Sequence, residues 1–224
     1  MVGCWALWEH RNKVIFELRE VDPCGVVKRV RDVMEEIEGG GYVKKGSQDE
    51  VGARGRESAR KGWVAPPEGY VKINVDAGVQ EGMGVNLGMV CRDGRGGVIW
   101  GATLVLEQLW DSRIAEAVAV LEGVKEARRR GHANIVVESD CLQVVEALQK
   151  SRPGRSVFDL VLADIFSLRS SFNSIVWSFT SRLNNGVAHA LAHPVPRVVG
   201  KFVWSEGLPL IANDAVNFDL LLMQ

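Results

Sequence analysis

The chain has 224 residues, a formal net charge of −1, 46% hydrophobic and 25% charged residues, and four cysteines. This apolar content and near-neutral charge exclude an intrinsically disordered chain, and the length allows one large domain or an ordinary domain with appended segments. The charge balance also argues against a protein that binds nucleic acid through phosphate contacts alone, because such proteins are usually strongly basic.

Cysteine spacing and hydropathy indicate the compartment. The cysteines are scattered, with no CxxC pair and no zinc-finger spacing, so we expect free thiols. No apolar run approaches the roughly 18 residues that a membrane span needs, and charges interrupt residues 1–13 where a signal peptide would be apolar. We therefore expect an intracellular protein, nuclear or cytoplasmic, with no membrane contact and no obligate protein partner.

The composition divides the chain into four regions. Residues 1–38 carry apolar residues at helical spacing and predict a helical segment. Residues 39–62 are rich in glycine, serine and mixed charge, and predict a flexible linker. Residues 63–199 are the expected domain. Residues 200–224 are a C-terminal tail, and the sequence leaves open whether this tail packs on the domain or stays mobile.

The first half of the domain predicts three strands. Apolar residues alternate with polar ones over 71–77, and Asp76 lies within this first strand. Strands follow over 85–91 and 98–106, separated by short turns that contain glycine. Because the connections are short, we expect the three strands to be antiparallel neighbours.

Helices and strands alternate in the second half of the domain. The patterns predict a helix from Asp111-Ser112 to Gly131, a strand at 135–137, helices at 140–150 and 157–170, a strand at 174–179 and a helix at 186–192. The order β-β-β-α-β-α-α-β-α predicts an α/β fold, with a mixed five-stranded sheet and helices packed on it.

Three carboxylates occupy positions that this architecture can bring together. Asp76 lies in the first strand, Glu116 in the first turns of the first helix, and Asp140 where the fourth strand passes into the next helix. Clustered carboxylates repel each other, and a hard divalent cation such as Mg²⁺ or Mn²⁺ relieves that repulsion. Two such ions about 4 Å apart can activate a water and stabilise the leaving oxygen of a phosphodiester.

Each acid also has a structural interpretation. Asp76 could face solvent, Glu116 could interact with the helix dipole, and Asp140 could cap the following helix. The conjunction of all three favours a metal site over these separate explanations.

Four sequence motifs occur in a specific order: Lys72-Ile-Asn-Val-Asp76, Val90-Cys-Arg-Asp93, Ala115-Glu116-Ala117 and Val137-Glu-Ser-Asp140. Together they resemble the type 1 ribonuclease H fold. They are most similar to the ribonuclease-H-like domain of plant proteins derived from non-LTR retrotransposon reverse transcriptases. The resemblance covers the chain from Trp63 onward, and the segment 5–12 is similar to the part of the element's polyprotein that precedes the domain.

The resemblance implies cleavage of the RNA strand of RNA–DNA hybrids with two divalent ions, Mg²⁺ or Mn²⁺. Asp76, Glu116 and Asp140 match three of the family's four metal-binding acids. His189 stands at the fourth position, where active enzymes carry aspartate and the plant subgroup often carries histidine. His189 is therefore the candidate fourth ligand, although a neutral imidazole adds no negative charge and weakens Mg²⁺ binding.

Arg182 and Asn185 precede the last helix and are the candidate nucleic-acid-binding residues. The alternative function is a catalytically impaired module of the same fold that binds nucleic acid or a protein partner. An unrelated nucleotide-binding α/β domain is a third class, and the lack of a GxxxxGK[ST] loop after any predicted strand argues against it.

Three further features have two interpretations each. The basic run 128–130 could contact phosphates or complement the C-terminal end of a helix dipole. His189 and His193 are one helical turn apart, so they could share a ligand or be an ordinary surface pair. Four tryptophans could either stack on bases or pack in the core: Trp63, Trp100, Trp110 and Trp177.

Overall fold

The computed structural model describes residues 62–150, 154–194 and 197–223. The predicted helical segment 1–38 lies outside these residues, as does all of the predicted linker except Gly62. Within the described part of the chain, no helix has the length and apolarity to span a membrane. The two cysteines in it, Cys91 and Cys141, are free thiols, as expected.

The described residues contain six strands and five α-helices. The strands are β1 (Val71–Gln80), β2 (Gly84–Arg92), β3 (Val98–Leu106), β4 (Asn134–Ser139), β5 (Ser174–Phe179) and β6 (Gly200–Trp204). The helices are α1 (Ser112–Arg129), α2 (Leu142–Lys150), α3 (Val157–Ser167), α4 (Gly186–Ala192) and α5 (Leu210–Leu222).

All six strands belong to one mixed sheet in the order β5-β4-β1-β2-β3-β6. β2 pairs antiparallel with both β1 and β3, and β4 pairs parallel with β1 and with β5. The predicted α/β fold class is therefore confirmed, as are the antiparallel arrangement of the first three strands and the adjacency of β1 and β4.

The prediction of five strands was wrong by one. Residues 200–204, in the expected tail, form β6, which pairs antiparallel with β3, and α5 packs on α4. The open question about the tail is thereby resolved for residues 200–223. β6 gave no strand signal because it is a short edge strand with mostly exposed side chains, so it lacks the alternation that marks a half-buried strand.

Helix α1 begins and ends where the sequence predicts. The Asp111 side chain accepts a hydrogen bond of 2.8 Å from the Ile114 amide, as expected for an N-cap, and Gly131 follows the helix with φ +73°. α1 packs on β1, β2 and β4, and Gly123 lets it approach the sheet closely. A Cβ added to Gly123 would lie 3.0 Å from Val75 Cγ1.

The opposite surface of the sheet, which we call the α4 face, is covered by α4 and carries a buried polar network. The Lys72 ammonium donates to Glu138 Oε1 at 2.5 Å and to the Val64 carbonyl at 2.7 Å. Asn74 donates to Glu138 Oε2 at 3.1 Å and accepts from the Trp63 indole at 2.8 Å. The network ties the chain segment that enters the domain to β1 and β4.

A second buried ion pair fixes α5 to the same face. Arg92 Nη1 donates to Asp219 Oδ2 at 2.6 Å, and the Arg92 guanidinium lies 3.9 Å from the centre of the Trp63 ring. A buried charge is costly without its partner, so the pairing of Arg92 with Asp219 favours the docking of α5 at this place.

Candidate active site

The β1–β4 pairing explains why Asp76 and Asp140 are neighbours. The paired register ends at Val75 opposite Ser139, so Asp76 and Asp140 are the next residue on each chain segment. Asp76 is only 5% exposed although it lies near the edge of the ladder, which excludes a solvent-facing role. Glu116 reaches the same place from α1, where the Ala77 amide donates a hydrogen bond to its carboxylate.

The three carboxylates form what we call the acidic cluster. Each of Asp76, Glu116 and Asp140 offers an oxygen, and these oxygens lie within 4.8 Å of one another. Glu116 Oε2 is buried without a hydrogen-bond partner. A buried carboxylate oxygen without a partner is costly in the absence of a cation, so this all-oxygen donor set fits a hard divalent ion such as Mg²⁺ or Mn²⁺.

The pKa values of the three acids reflect their burial and their closeness to one another. Burial raises the pKa of Glu116 to about 9, and the nearby charges of Asp76 and Asp140 add to the rise. Burial also raises the pKa of Asp140, again with a contribution from Asp76. Burial acts in the same direction on Asp76, but the hydrogen bond from His189 and the electrostatic interaction with its ring outweigh burial and lower the pKa of Asp76. Glu116 is therefore protonated at neutral pH when no cation is bound.

We expect Mg²⁺ binding to release a proton from Glu116. Its pKa of about 9 means that the apparent Mg²⁺ affinity should rise about tenfold per pH unit between about pH 6 and pH 8, and level off above about pH 9. Titration calorimetry in buffers of different ionisation enthalpy measures the number of protons released and the apparent Mg²⁺ affinity. Glu116→Gln removes the titrating group, so equal proton release by this variant and the parent would contradict the prediction.

Helix α4 adds two histidines beside the acidic cluster. His189 Nδ1 and Asp76 Oδ2 are 2.8 Å apart, and because a carboxylate oxygen accepts, the imidazole donates from Nδ1. His193 Nδ1 donates in turn to the His189 carbonyl at 2.9 Å, and the two ring centres are 4.2 Å apart. His189, at the predicted fourth ligand position, thus lies beside the acidic cluster and is hydrogen-bonded to Asp76.

Residues 74–195, more than half of the chain, match the model of the family described as Reverse transcriptase-like. The chain belongs to this family. The matched span includes the acidic cluster and both histidines of α4. No curated protein sequence matches the chain.

Solved structures of ribonucleases H are similar to this reverse transcriptase-like domain. RNase H1 of the archaeon Halobacterium salinarum superimposes with a TM-score of 0.51 at 20% identity, over 55% of this chain and 94% of that one. The N-terminal RNase H domain of a Mycobacterium tuberculosis protein gives 0.50 at 21%, over 55% and 95%. LC11-RNase H1, isolated from compost by a metagenomic approach, gives 0.50 at 18%, over 55% and 92%. The domain therefore has the RNase H-like fold.

Of the two candidate nucleic-acid-binding residues, one is buried and the other is exposed. Asn185 is 1% exposed, and its amide donates to the Val75 carbonyl at 2.8 Å and to Asp140 Oδ1 at 3.3 Å. Asn185 therefore positions the start of α4 against β1, and a nucleic-acid contact by it stays a prediction. Arg182 is exposed, and its positive charge acts to lower the pKa of Asp76 and of Asp140.

Two glycines that sequence reasoning missed bring α4 to the acidic cluster of this reverse transcriptase-like domain. Gly88 lies opposite Asp76 in the β1–β2 register, and a Cβ there would lie 2.2 Å from the Ala188 carbonyl oxygen. A Cβ on Gly78 would lie 2.7 Å from the Ala192 carbonyl oxygen. The helix backbone therefore rests directly on β1 and β2. Only the neighbouring helix reveals this requirement, so no local pattern could have found it.

Gly88→Ala should destabilise the domain by about 1–3 kcal/mol and break the Asp76–His189 hydrogen bond, because the added methyl meets helix backbone that cannot rotate away. Thermal unfolding gives the stability, and the imidazole NMR signals of His189 report the hydrogen bond. Gly94→Ala is the matched control, since a Cβ at Gly94 meets nothing within 4 Å. The prediction fails if the two variants behave alike.

The open interpretations of the tryptophans and the basic run are partly resolved. Trp63 and Trp100 are 3% and 0% exposed, so both pack in the interior of the domain. Arg129 and Arg130 both bind the buried carboxylate of Glu126, Arg130 Nε at 2.8 Å. The two arginines therefore satisfy a buried acid, and Arg129 with Arg130 lowers the pKa of Glu126 to about 2.

Proposed function

We propose that this domain binds RNA–DNA hybrids and hydrolyses their RNA strand with divalent metal ions. The observation that carries the proposal is the acidic cluster, with three carboxylates converging from β1, α1 and the end of β4 around a buried oxygen of Glu116 that has no partner. The structural similarity to ribonucleases H supports the same reaction class by analogy of fold.

Asp76, Glu116 and Asp140 would hold the ions, with His189 as a fourth, weaker ligand. Two bound divalent ions supply an activated water and stabilise charge on the leaving oxygen of the phosphodiester. The exposed cation of Arg182 lies close enough to the acidic cluster to attract the phosphate backbone there. Discrimination for RNA would come from contacts with the 2′-hydroxyl groups.

The net charge of −1 affects affinity rather than chemistry. Two arginines of the basic run already pair with Glu126, so few cations are left for phosphates in that run. We therefore expect modest hybrid affinity that falls steeply as salt is raised.

A gel assay on a labelled RNA–DNA hybrid with Mg²⁺ or Mn²⁺ tests the proposal. The parent should cleave the RNA strand, chelator should stop cleavage, and Asp76→Asn should reduce it to background because Asp76 is the most buried of the three acids. Absence of cleavage by the parent, or equal cleavage by Asp76→Asn, would refute the enzymatic function.

The second candidate function is a non-catalytic module of the same fold that binds nucleic acid or a protein partner. The observation that favours it is the imidazole of His189, which is hydrogen-bonded to Asp76 Oδ2 at the position where a fourth carboxylate would add negative charge. Calorimetry discriminates the two candidates. Two Mg²⁺ ions bound with millimolar or tighter affinity would exclude the non-catalytic module, and no binding would favour it.

We also infer descent from a plant non-LTR retroelement, within the reverse transcriptase-like family. His189 and the segment 5–12 support this narrower origin through their resemblance to that subgroup. Reverse-transcriptase coding remnants directly upstream in the genome would agree with it, and their absence from intact flanking sequence would count against it.

A further inference from the structure

Arg197, in the segment that follows α4, is held against β2 and β3 by neutral acceptors. Its Nε donates to Asn86 Oδ1 at 3.1 Å, and its Nη2 donates to the Leu106 carbonyl at 2.6 Å. None of the ion pairs that the described residues form with one another includes Arg197. The half-buried guanidinium is therefore held in one orientation, while no carboxylate of the described residues pairs with its charge.

Asn86 orients Arg197 at a cost to its own hydrogen bonding. The residue is 0% exposed, and because a guanidinium group only donates, the amide oxygen of Asn86 must point to Arg197. Its Nδ2 is then buried without a hydrogen-bond partner. A buried unpaired donor is unfavourable, so packing alone does not account for an asparagine at this position, whereas the orientation of Arg197 does.

Gly84 leaves the space that the guanidinium occupies. A Cβ added to Gly84 would lie 2.9 Å from Arg197 Nη2 and 2.1 Å from the Leu106 carbonyl oxygen. The φ of Gly84 is +113°, which disfavours any other residue. A larger side chain at this position would displace Arg197, so the room for this cation depends on the glycine.

The anchor of Arg197 lies on the same face of the sheet as the Asp76 carboxylate. Asn86 is opposite Gly78 in the β1–β2 register, and Gly78 is two residues after Asp76, so the three positions share one face. Two strand residues and one strand spacing separate the backbones of Asp76 and Asn86 by about 8 Å. Charges along one nucleic-acid strand follow each other at about 3.4 Å along the helix axis, so a strand lying across the acidic cluster presents a further phosphate near Arg197.

From this geometry we infer that Arg197, positioned by Asn86, binds a backbone phosphate of the nucleic-acid strand that lies across the acidic cluster. Arginine presents a planar fork of donors that suits phosphate oxygens, and the bonds from Nε and Nη2 leave Nη1 for the ligand. This contact rests on the proposed function, which brings an RNA–DNA hybrid to this face. It acts on affinity for the hybrid rather than on the chemical step.

Fluorescence anisotropy of the full chain with a labelled RNA–DNA hybrid tests the inference, with chelator present so that no strand is cleaved. Arg197→Gln should weaken hybrid binding about fivefold to tenfold and reduce the slope of log K against log salt concentration by about one, as expected for one phosphate contact. Arg169→Gln is the matched control. Arg169 is exposed and precedes β5, whose opposite end pairs with Ser139 beside the acidic cluster, so this variant should bind like the parent.

Asn86→Asp tests the charge of Arg197 while the arginine is kept. The new carboxylate should pair with Arg197, so hybrid affinity should fall about as far as in Arg197→Gln. Thermal unfolding checks that each variant is folded. If Asn86→Asp does not fold, Arg197→Lys replaces it, because lysine keeps the charge without the fork and should lose less affinity than Arg197→Gln at an unchanged salt slope.

Free phosphate and hydrolysis are tested separately. The NMR signal of the Arg197 Nε–H group should shift with the hybrid, and an equal concentration of inorganic phosphate should not reproduce the shift. With Mg²⁺, Arg197→Gln should raise KM and leave kcat nearly unchanged, because the contact lies away from the reacting phosphate. A parent that binds the hybrid through Arg197 but does not cleave it would contradict the hydrolysis and support this contact.

Three results would overturn the inference. The first is a parent that does not bind the hybrid. The second is an Arg197→Gln variant with the affinity and salt slope of the parent, whether or not its thermal stability falls, since Arg197 would then only hold the segment after α4 to the sheet. The third is an Nε–H shift with inorganic phosphate that equals the shift with the hybrid, which would indicate a site for free anions.

Discussion

Lys72→Met is expected to lower the free energy of unfolding by about 3–5 kcal/mol, because it leaves the Glu138 carboxylate buried without its cation. The two side chains are 6% and 9% exposed and their charged atoms lie 2.5 Å apart. Lys72 also donates to the Val64 carbonyl, so the variant removes one of the hydrogen bonds that hold the entering chain to β1. Urea unfolding should show a lower midpoint at an unchanged slope.

A second ion pair provides the matched control. Lys150 and Glu146 lie 2.6 Å apart, much like the buried pair, but their side chains are 56% and 47% exposed. Lys150→Met should therefore cost less than about 1 kcal/mol, because water screens the pair. The double variant Lys72→Met with Glu138→Gln should recover much of the lost stability, since no charge is then left unpaired. Equal costs for Lys72→Met and Lys150→Met would show that burial does not govern this network.

The fold could be predicted where the sequence pattern follows the packing of an element. In β1, apolar residues on the α1 face alternate with polar residues on the α4 face, and both sets are buried, whereas α1 is rich in small and apolar residues that are buried around most of the helix. β6 lacks such a pattern because it lies at the edge of the sheet and its side chains are mostly exposed. An edge strand of this kind is defined by its pairing with β3, which no local window of sequence contains.

The acidic cluster could be predicted because strand order determines it. Once β1 and β4 are adjacent, Asp76 and Asp140 must meet at the end of their shared ladder. The orientation of α4 could not be predicted, because it depends on Gly88 being opposite Asp76 and on a backbone contact across the sheet. The hydrogen bond between His189 and Asp76 is a consequence of that contact, so the sequence indicated the neighbourhood of His189 but not its partner.

His189→Asp should strengthen Mg²⁺ binding about tenfold or more and should increase Mg²⁺-dependent cleavage of a hybrid if the acidic cluster is catalytic. The imidazole nitrogen lies 2.8 Å from Asp76 Oδ2, so a carboxylate at this position adds a negative charge and an oxygen ligand directly beside the cluster. Two unit charges about 4 Å apart interact by about 4 kcal/mol near a protein surface, from which the cost of desolvation must be subtracted. The net gain is therefore smaller than the Coulomb energy but large enough to measure.

Thermal unfolding with and without Mg²⁺ separates this effect from general stabilisation. Without the ion, His189→Asp should unfold at a lower temperature than the parent, because the new carboxylate repels Asp76 and the favourable imidazole contact is lost. With Mg²⁺, it should gain more stability than the parent, in proportion to its tighter binding. His189→Asn is the matched control, since it removes the imidazole without adding charge and should gain no more than the parent. An equal Mg²⁺ response in all three proteins would mean that this position lies outside the reach of the ion, and the acidic cluster would then bind metal through Asp76, Glu116 and Asp140 alone.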